Sequence, residues 1–360
     1  MGDASLFVLG NILPAKCRVA CVTLIVTLTQ CQNIRFTPVC CTIKVTAKHK
    51  GVTLTMNILM LFELKPETVA LAQREHPTWQ FIDKSDYKPE MAGDIDVILG
   101  WNATGAQTIA QPNHVKFVQA MSAGVDYLPL AEFAKQGIQL ANVSGIHAEA
   151  IAEYVIAGIL GFAHGLFPVA TRWNRVTDHL WSLQDAQAVV YGTGHIGTLI
   201  AKHLRQFGVK VTGVDRHGVA KPEFDAVTTD KMVARNADIV VNVMPLTAET
   251  HHYYDADFFN QLENQPLFVN VGRGPSVDEV ALVNALDHQL KGAVLDVFNE
   301  EPLPDTSPLW QLPNVWMTPH ISGQVTHLRQ QVADIFLPNV EQLEKTGTLN
   351  SHQVNLSTGY

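Results

Sequence analysis

The stretch VVYGTGHIGTLIAKHLRQFGVKVTGVD, residues 189–215, constrains the fold more than any other part of the chain. Ala188–Tyr191 read as a strand, Gly192, Gly194 and Gly197 as a tight loop. A helix follows with Ile196, Ile200, Leu204 and Phe207 on one face and Gly208 as its stop. Gly192 permits the turn, Gly194 removes a side chain where a pyrophosphate must approach, and Gly197 lets helix and strand pack closely. With His195 and Ile196 in the first turn, the free amides there face an anion. Eighteen residues beyond Gly197, Asp215 ends the next strand, where a carboxylate can accept hydrogen bonds from ribose hydroxyls and repel a 2′-phosphate. The reading is a dinucleotide site that favours NAD over NADP, although Arg216 would take a 2′-phosphate if Asp215 turned away.

From Met56 the chain alternates short apolar runs and helical patterns: NILMLF, ETVALAQREH, DVILGW, TIAQ, VKFVQAM, LAEFAKQG and IQLANV. That is the rhythm of a parallel sheet covered by helices. The stretch HAEAIAEYVIAGILGFAHGL is apolar on nearly every face except at Glu149 and Glu153, which predicts a helix buried between domains or subunits. A second series, AQAVVY, VKVTGVD, ADIVVNVM, PLFVNVG, GAVLDVF and NVWMTPH, gives six further parallel strands. A long helical pattern, THLRQQVADIFLPNVEQLEKTG, then packs back across the first series. The unit boundaries fall near residue 148 and just after His320.

A chain of 360 residues, 47% hydrophobic and 16% charged, has enough apolar surface for two cores. Residues 1–55 hold six Lys/Arg and one acid; the remainder holds nineteen against thirty-three. So acidic a body argues against nucleic acid or an anionic membrane as partner. Cys17, Cys21, Cys31, Cys40 and Cys41 all lie in the leading segment, so the body needs no disulfide or thiol chemistry. Their spacing matches no usual zinc site, and no metal is expected. The apolar stretch after Lys16 and Arg18 carries polar threonines and lacks a clear cleavage site, which counts against a signal peptide. Residues 1–55 are therefore expected to be an extension outside the fold, with Met56 as the working start and a cytoplasmic location. No apolar run reaches the roughly 20 residues of a membrane span.

Ligands of open α/β sheets sit beyond the carboxyl ends of the strands. FVNVGRG puts Arg273 at one such end, AVLDVFNEEPL puts Asp296 and Glu301 at the next, and NVWMTPHISG puts His320 at the last. Removing a hydride from an alcohol carbon requires that the hydroxyl proton leave as well, and a histidine titrates near neutrality. His320 is the candidate base, with Glu301 fixing its tautomer through the other ring nitrogen. Arg273 presents a planar fork that can clamp a carboxylate or polarise a carbonyl.

In these stretches, and in SAGVDYLP (122–129), AIAEYVIAGIL, VMPLTAET (243–250) and VNVGRGPSVDEVAL, the chain resembles the D-isomer-specific 2-hydroxyacid dehydrogenases from Met56 to about Val340. The resemblance implies two Rossmann-like α/β domains, the NAD-binding one (149–321) inserted into a discontinuous flavodoxin-like substrate domain (56–148 and 322–345), and a homodimer. It implies interconversion of a 2-oxo acid and a D-2-hydroxy acid, with Arg273 anchoring substrate, His320 as acid/base and Glu301 as its partner. Backbone amides at Ala123 and Gly124 would meet the substrate carboxylate. Pro245 and Thr250 would line the cofactor, with Asp296 at its nicotinamide end. Glu301 speaks against the formate dehydrogenase branch, which pairs its histidine with Gln. The alternatives are a nucleotide-sensing, corepressor-like binding protein and a phosphite dehydrogenase-like enzyme. The substrate's side chain would be read by first-domain loops, with Trp101 and Leu64 as candidates for that pocket or for ordinary packing. The segment after the final helix is too short for a regulatory domain.

Overall fold

Short apolar runs become strands here because both of their faces are buried. In QAVVY, Val189 points into one layer and Val190 into the other, so no polar residue can alternate in. The computed structural model describes residues 55–166 and 180–359. The extension, cysteine, zinc and signal-peptide expectations for residues 1–54 lie outside the described residues.

The first series folds as β1 (Met56–Met60), α1 (Pro66–Glu75), β2 (Trp79–Asp83), β3 (Val97–Leu99), α2 (Ala103–Ile109), β4 (Phe117–Gln119), α3 (Leu130–Gln136) and β5 (Gln139–Ala141). The strands form a parallel sheet in the order β2-β1-β3-β4-β5, the flavodoxin-like winding, with Ile58 paired to Phe81 on one side and Val97 on the other. The strand WQFID at β2 was not among the expected runs.

The helix α4 (Ala148–Ala163) then leads to a second sheet. Its elements are β6 (Gln187–Tyr191), α5 (His195–Gln206), β7 (Lys210–Val214), β8 (Ala226–Thr228), β9 (Ile239–Asn242), α6 (Ala256–Asn260), β10 (Leu267–Asn270), α7 (Glu279–His288), β11 (Gly292–Leu295) and β12 (Val315–Met317). The order β12-β11-β10-β9-β6-β7-β8 is all parallel and reverses direction between β6 and β9, as in dinucleotide-binding folds. It holds seven strands rather than six, because the short AVT of β8 escapes a periodicity reading.

The final helix α8 (Leu328–Thr346) returns to the first sheet, where Val332, Phe336 and Val340 share a core with Ile58, Val97 and Phe117. The Phe117 and Phe336 rings stack with centroids 6.0 Å apart. In the second sheet, α4 and α5 cover one face through Val155, Ile159, Ile200 and Leu204 against Val190 and Val241. One expectation needs correction. Phe207, placed on the buried face of α5, is exposed just past the last turn, while Gly208 takes the left-handed conformation that stops the helix. Within the single chain α4 buries one face, through Ile151, Ala152, Val155 and Ile159, while Ile156 and Leu160 are half-buried and Ala157 is exposed. Among the described residues no helix is long and apolar enough to cross a membrane.

Beyond α8 the chain runs antiparallel to β5: the His352 carbonyl accepts from the Asn142 amide at 3.1 Å, and the Val354 amide donates to the Leu140 carbonyl at 2.8 Å. Asn339, fully buried on α8, fixes this path. Its Oδ1 accepts from the amides of Asn350 and Ser351, both at 2.9 Å, and its Nδ2 donates to the Ser351 carbonyl at 3.1 Å.

Candidate active site

Loops at the carboxyl ends of both sheets line a cleft of about 1370 Å³. The glycine loop forms one wall. Gly192 has φ +102°, and a Cβ there would press within 3.1 Å of the Val243 carbonyl carbon and oxygen in the loop after β9. A Cβ at Gly197 would overlap the Gly192 carbonyl oxygen. At Gly194, the residue before α5, nothing lies within 4 Å of the missing side chain, so this surface is open to a ligand. The first amides of α5 have no partners within the helix, and the macrodipole adds positive potential there. These residues fit a dinucleotide pyrophosphate.

Asp215 follows β7 directly. Its Oδ1 accepts from the amides of His217 and Gly218 at 2.9 and 2.7 Å, and its Oδ2 from the Thr193 hydroxyl. Burial pushes this carboxyl up, but those hydrogen bonds and the nearby Lys221 more than offset it and hold it below the usual carboxylate range. Lys221 Nζ donates to Thr193 Oγ1 at 2.8 Å and lies 3.9 Å from Asp215 Oδ2. No sequence signal marks Lys221 or Thr193: one lies in a non-periodic loop, the other between two glycines of the motif.

The strand-end residues Arg273, Glu301 and His320 follow β10, β11 and β12. His320 is left-handed, with φ +54°; its amide is held by the Asp296 carbonyl at 2.9 Å. Its Nδ1 lies 2.8 Å from Glu301 Oε2, while Glu301 Oε1 accepts from the Phe298 amide at 3.0 Å. An ionised carboxylate can only accept, so Nδ1 carries the hydrogen and Nε2 is the ring atom left for a ligand. Arg273 follows β10, and its Nη1 donates to the Gly272 carbonyl at 2.8 Å. A Cβ at Gly124 would overlap Arg273 Nη2 and come within 2.7 Å of Cζ, so the guanidinium fills the space that a side chain would take. The loop after β4 is fixed by its own carbonyls: Asn142 Nδ2 donates to Ala123 O at 2.8 Å and Ser122 Oγ to Gly124 O at 2.7 Å.

Of the residues expected from sequence, Ala123, Gly124, Gly194, His195, Ile196, Gly197, Pro245, Arg273 and His320 all line this cleft. Glu301 stands behind His320. Thr250 does not line the cleft; its hydroxyl donates to Pro245 O at 2.7 Å and accepts from the Thr247 amide at 2.7 Å, which shapes the loop that carries Pro245. Asp296 is fully buried behind the wall, accepting from Thr318 Oγ1 at 2.5 Å and from the amides of Ile321 and Ser322 at 2.9 Å. It braces the turn that presents His320. Leu64 and Trp101 are packing residues, Leu64 in the α8 core and Trp101 edge-on to Phe133 at 5.1 Å. Sequence reasoning missed Asp126, whose Oδ1 is 3.1 Å from Arg273 Nε, and the segment after α8, where His352 and Leu356 line the cleft.

Residues 167–322 match the family model for the D-isomer specific 2-hydroxyacid dehydrogenase NAD binding domain. Glyoxylate/hydroxypyruvate reductase A HPR2 of Arabidopsis thaliana is 30% identical over 275 residues, covering 73% of this chain and 87% of that protein. Glyoxylate/hydroxypyruvate reductase B of Citrobacter koseri is 34% identical, over 59% of this chain and 69% of that protein. Among solved structures, a D-isomer specific 2-hydroxyacid dehydrogenase family protein from Aeromonas salmonicida is 31% identical, with a TM-score of 0.72, covering 84% of this chain and 99% of that one. The NADPH-dependent glyoxylate/hydroxypyruvate reductase of Sinorhizobium meliloti, in complex with NADP and malonate, is 26% identical with a TM-score of 0.68, covering 84% and 98%. On these matches, and with two parallel sheets meeting at such a cleft, the chain belongs to the D-isomer specific 2-hydroxyacid dehydrogenase family.

Proposed function

We propose that this protein reduces a short 2-oxo acid to the D-2-hydroxy acid, with NAD preferred over NADP. The observation that carries the reading is the Glu301–His320 pair at 2.8 Å on the same cleft as the Arg273–Gly124 contact. A bound reduced nicotinamide supplies the hydride. Gly192, Gly194, His195, Ile196 and Gly197 would hold its pyrophosphate, Asp215 its adenosine ribose, and the loop carrying Pro245 its inner face. The ionised Asp215 carboxylate supports NAD by repelling a 2′-phosphate, although Lys221 beside it softens that repulsion.

Each side chain then has one task. Arg273 and the amides of Ala123 and Gly124 fix the substrate carboxylate and orient the ketone. His320 in its protonated form gives the Nε2 proton to the ketone oxygen as charge develops there, and takes it back in the oxidative direction. Glu301 keeps the ring in its working tautomer, and Asp296 holds the turn beneath it. The same reading divides the chain into a substrate domain, 56–148 with 322–345, and an NAD-binding domain, 149–321. It is supported by the sharing of α8 with the first core and α4 with the second. Half-buried Ile156 and Leu160 on α4 support a homodimer.

The test is NADH oxidation followed at 340 nm with glyoxylate, hydroxypyruvate, pyruvate and branched 2-oxo acids, repeated with NADPH. His320→Ala is expected to lower kcat by about 10²- to 10⁴-fold while NADH binding stays intact. Unchanged turnover in that variant, or none by the parent on any of these acids, overturns the reading.

A further inference from the structure

Arg273 is held from three sides. Its Nε donates to Asp126 Oδ1 at 3.1 Å, its Nη1 to the Gly272 carbonyl at 2.8 Å, and its Nη2 lies on the Gly124 backbone. A guanidinium has five N–H donors. Two are committed here, so three remain for a ligand. Asp126 belongs to the loop after β4 and Arg273 to the loop after β10, so this ion pair crosses the cleft from one sheet to the other. Both side chains are partly exposed, at 33% and 25%, and an isolated surface pair of this kind contributes little to stability. Its location matters more than its strength, because the arginine it holds is the one that meets the substrate.

We infer that Asp126 is a positioning and specificity-determining residue: it aims Arg273, and its charge selects 2-oxo acids with a single carboxylate over those with two. The inference rests on the function proposed above. An incoming carboxylate meets a guanidinium whose charge Asp126 has already balanced, so one carboxylate binds mainly through directed hydrogen bonds. A second carboxylate on the same small substrate has no unbalanced cation left at this end, and it meets the Asp126 charge instead. At about 4 Å, like charges in a water-like medium already cost about fivefold in binding, and more in a half-closed cleft.

Two variants separate aim from charge. Asp126→Asn keeps an oxygen that can accept from Arg273 Nε but removes the charge; Asp126→Ala removes both. Turnover is measured with hydroxypyruvate and with oxaloacetate, with NADH binding followed separately as the check on folding. Asp126→Asn is expected to keep kcat for hydroxypyruvate within about threefold and to shift the kcat/KM ratio toward oxaloacetate by about fivefold or more. Asp126→Ala is expected to lose about tenfold in kcat as well, because the guanidinium is no longer aimed. In the parent, added salt should narrow the preference for the monocarboxylate. A kcat/KM ratio that neither Asn nor salt moves overturns the selective role, and an unchanged kcat in Ala overturns the positioning role. If the parent turns over no 2-oxo acid, the proposed function itself falls, and this inference falls with it.

Discussion

Gly197 and Gly124 both sit where a methyl group has no room, but the obstacle differs. At Gly197 the neighbour is the backbone carbonyl of Gly192, locked between β6 and Val243; at Gly124 it is the far end of the Arg273 side chain. The glycine loop is thus a cradle with no adjustable part, suited to a ligand whose shape never varies. The Gly124 loop is a backbone stop against which a jointed side chain rests. The Arg273 guanidinium can be re-aimed there without moving backbone. Close packing alone therefore does not tell rigid from tunable; the identity of the crowding atom does.

Substitution tests that contrast directly. Gly197→Ala should have the largest effect: with backbone in the way, a destabilisation of about 3 kcal/mol or more is expected, and NADH binding should be lost. Denaturant unfolding and NADH fluorescence titration would measure it, and a variant that folds and binds normally would show that the Gly192 carbonyl can give way. Gly124→Ala should unfold within about 0.5 kcal/mol of the parent while losing about 100-fold in kcat/KM, because only the side chains of Arg273 and Asp126 have to move. Equal losses of stability in the two variants would erase the distinction.

The smallest expected effect concerns Asp215 in the cradle. Its carboxyl is held below the usual range, so it contributes stability that is present above the unfolded value of about 3.9 and lost as pH falls through the folded one. Thr193→Val removes one of its donors and should lower Tm by roughly 2 °C at neutral pH, with the deficit shrinking below about pH 4. A deficit independent of pH would mean that Thr193 acts through packing alone.

How far the sequence could be read follows the same division. Gly192, Gly197 and Asp215 announce themselves because backbone geometry and a fixed ligand demand them at fixed spacing. Arg273, Glu301 and His320 stand at strand ends, so a periodicity reading finds them. Asp126, Lys221 and His352 were invisible: each matters through a partner distant in the chain, 147 residues away for Asp126. Thr250 and Asp296 illustrate a different limit. Both lie in recognisable stretches, but their oxygens are already taken by neighbouring loops, which spacing does not reveal. The strands β2 and β8 are edge strands, and edges need less apolar sequence than centres.

Asn339 carries a consequence for how this cleft can change. It lies on α8 inside the first core, yet its side-chain amide bonds Asn350 and Ser351 in the segment that carries His352 to the cleft wall. A substitution there would leave every wall residue in place while altering where one wall stands. Selection for a new substrate, in nature or in a laboratory library, therefore has a handle on the site from behind. Changes recovered on α8 in such a search should be read as remodelling of the cleft rather than as neutral passengers.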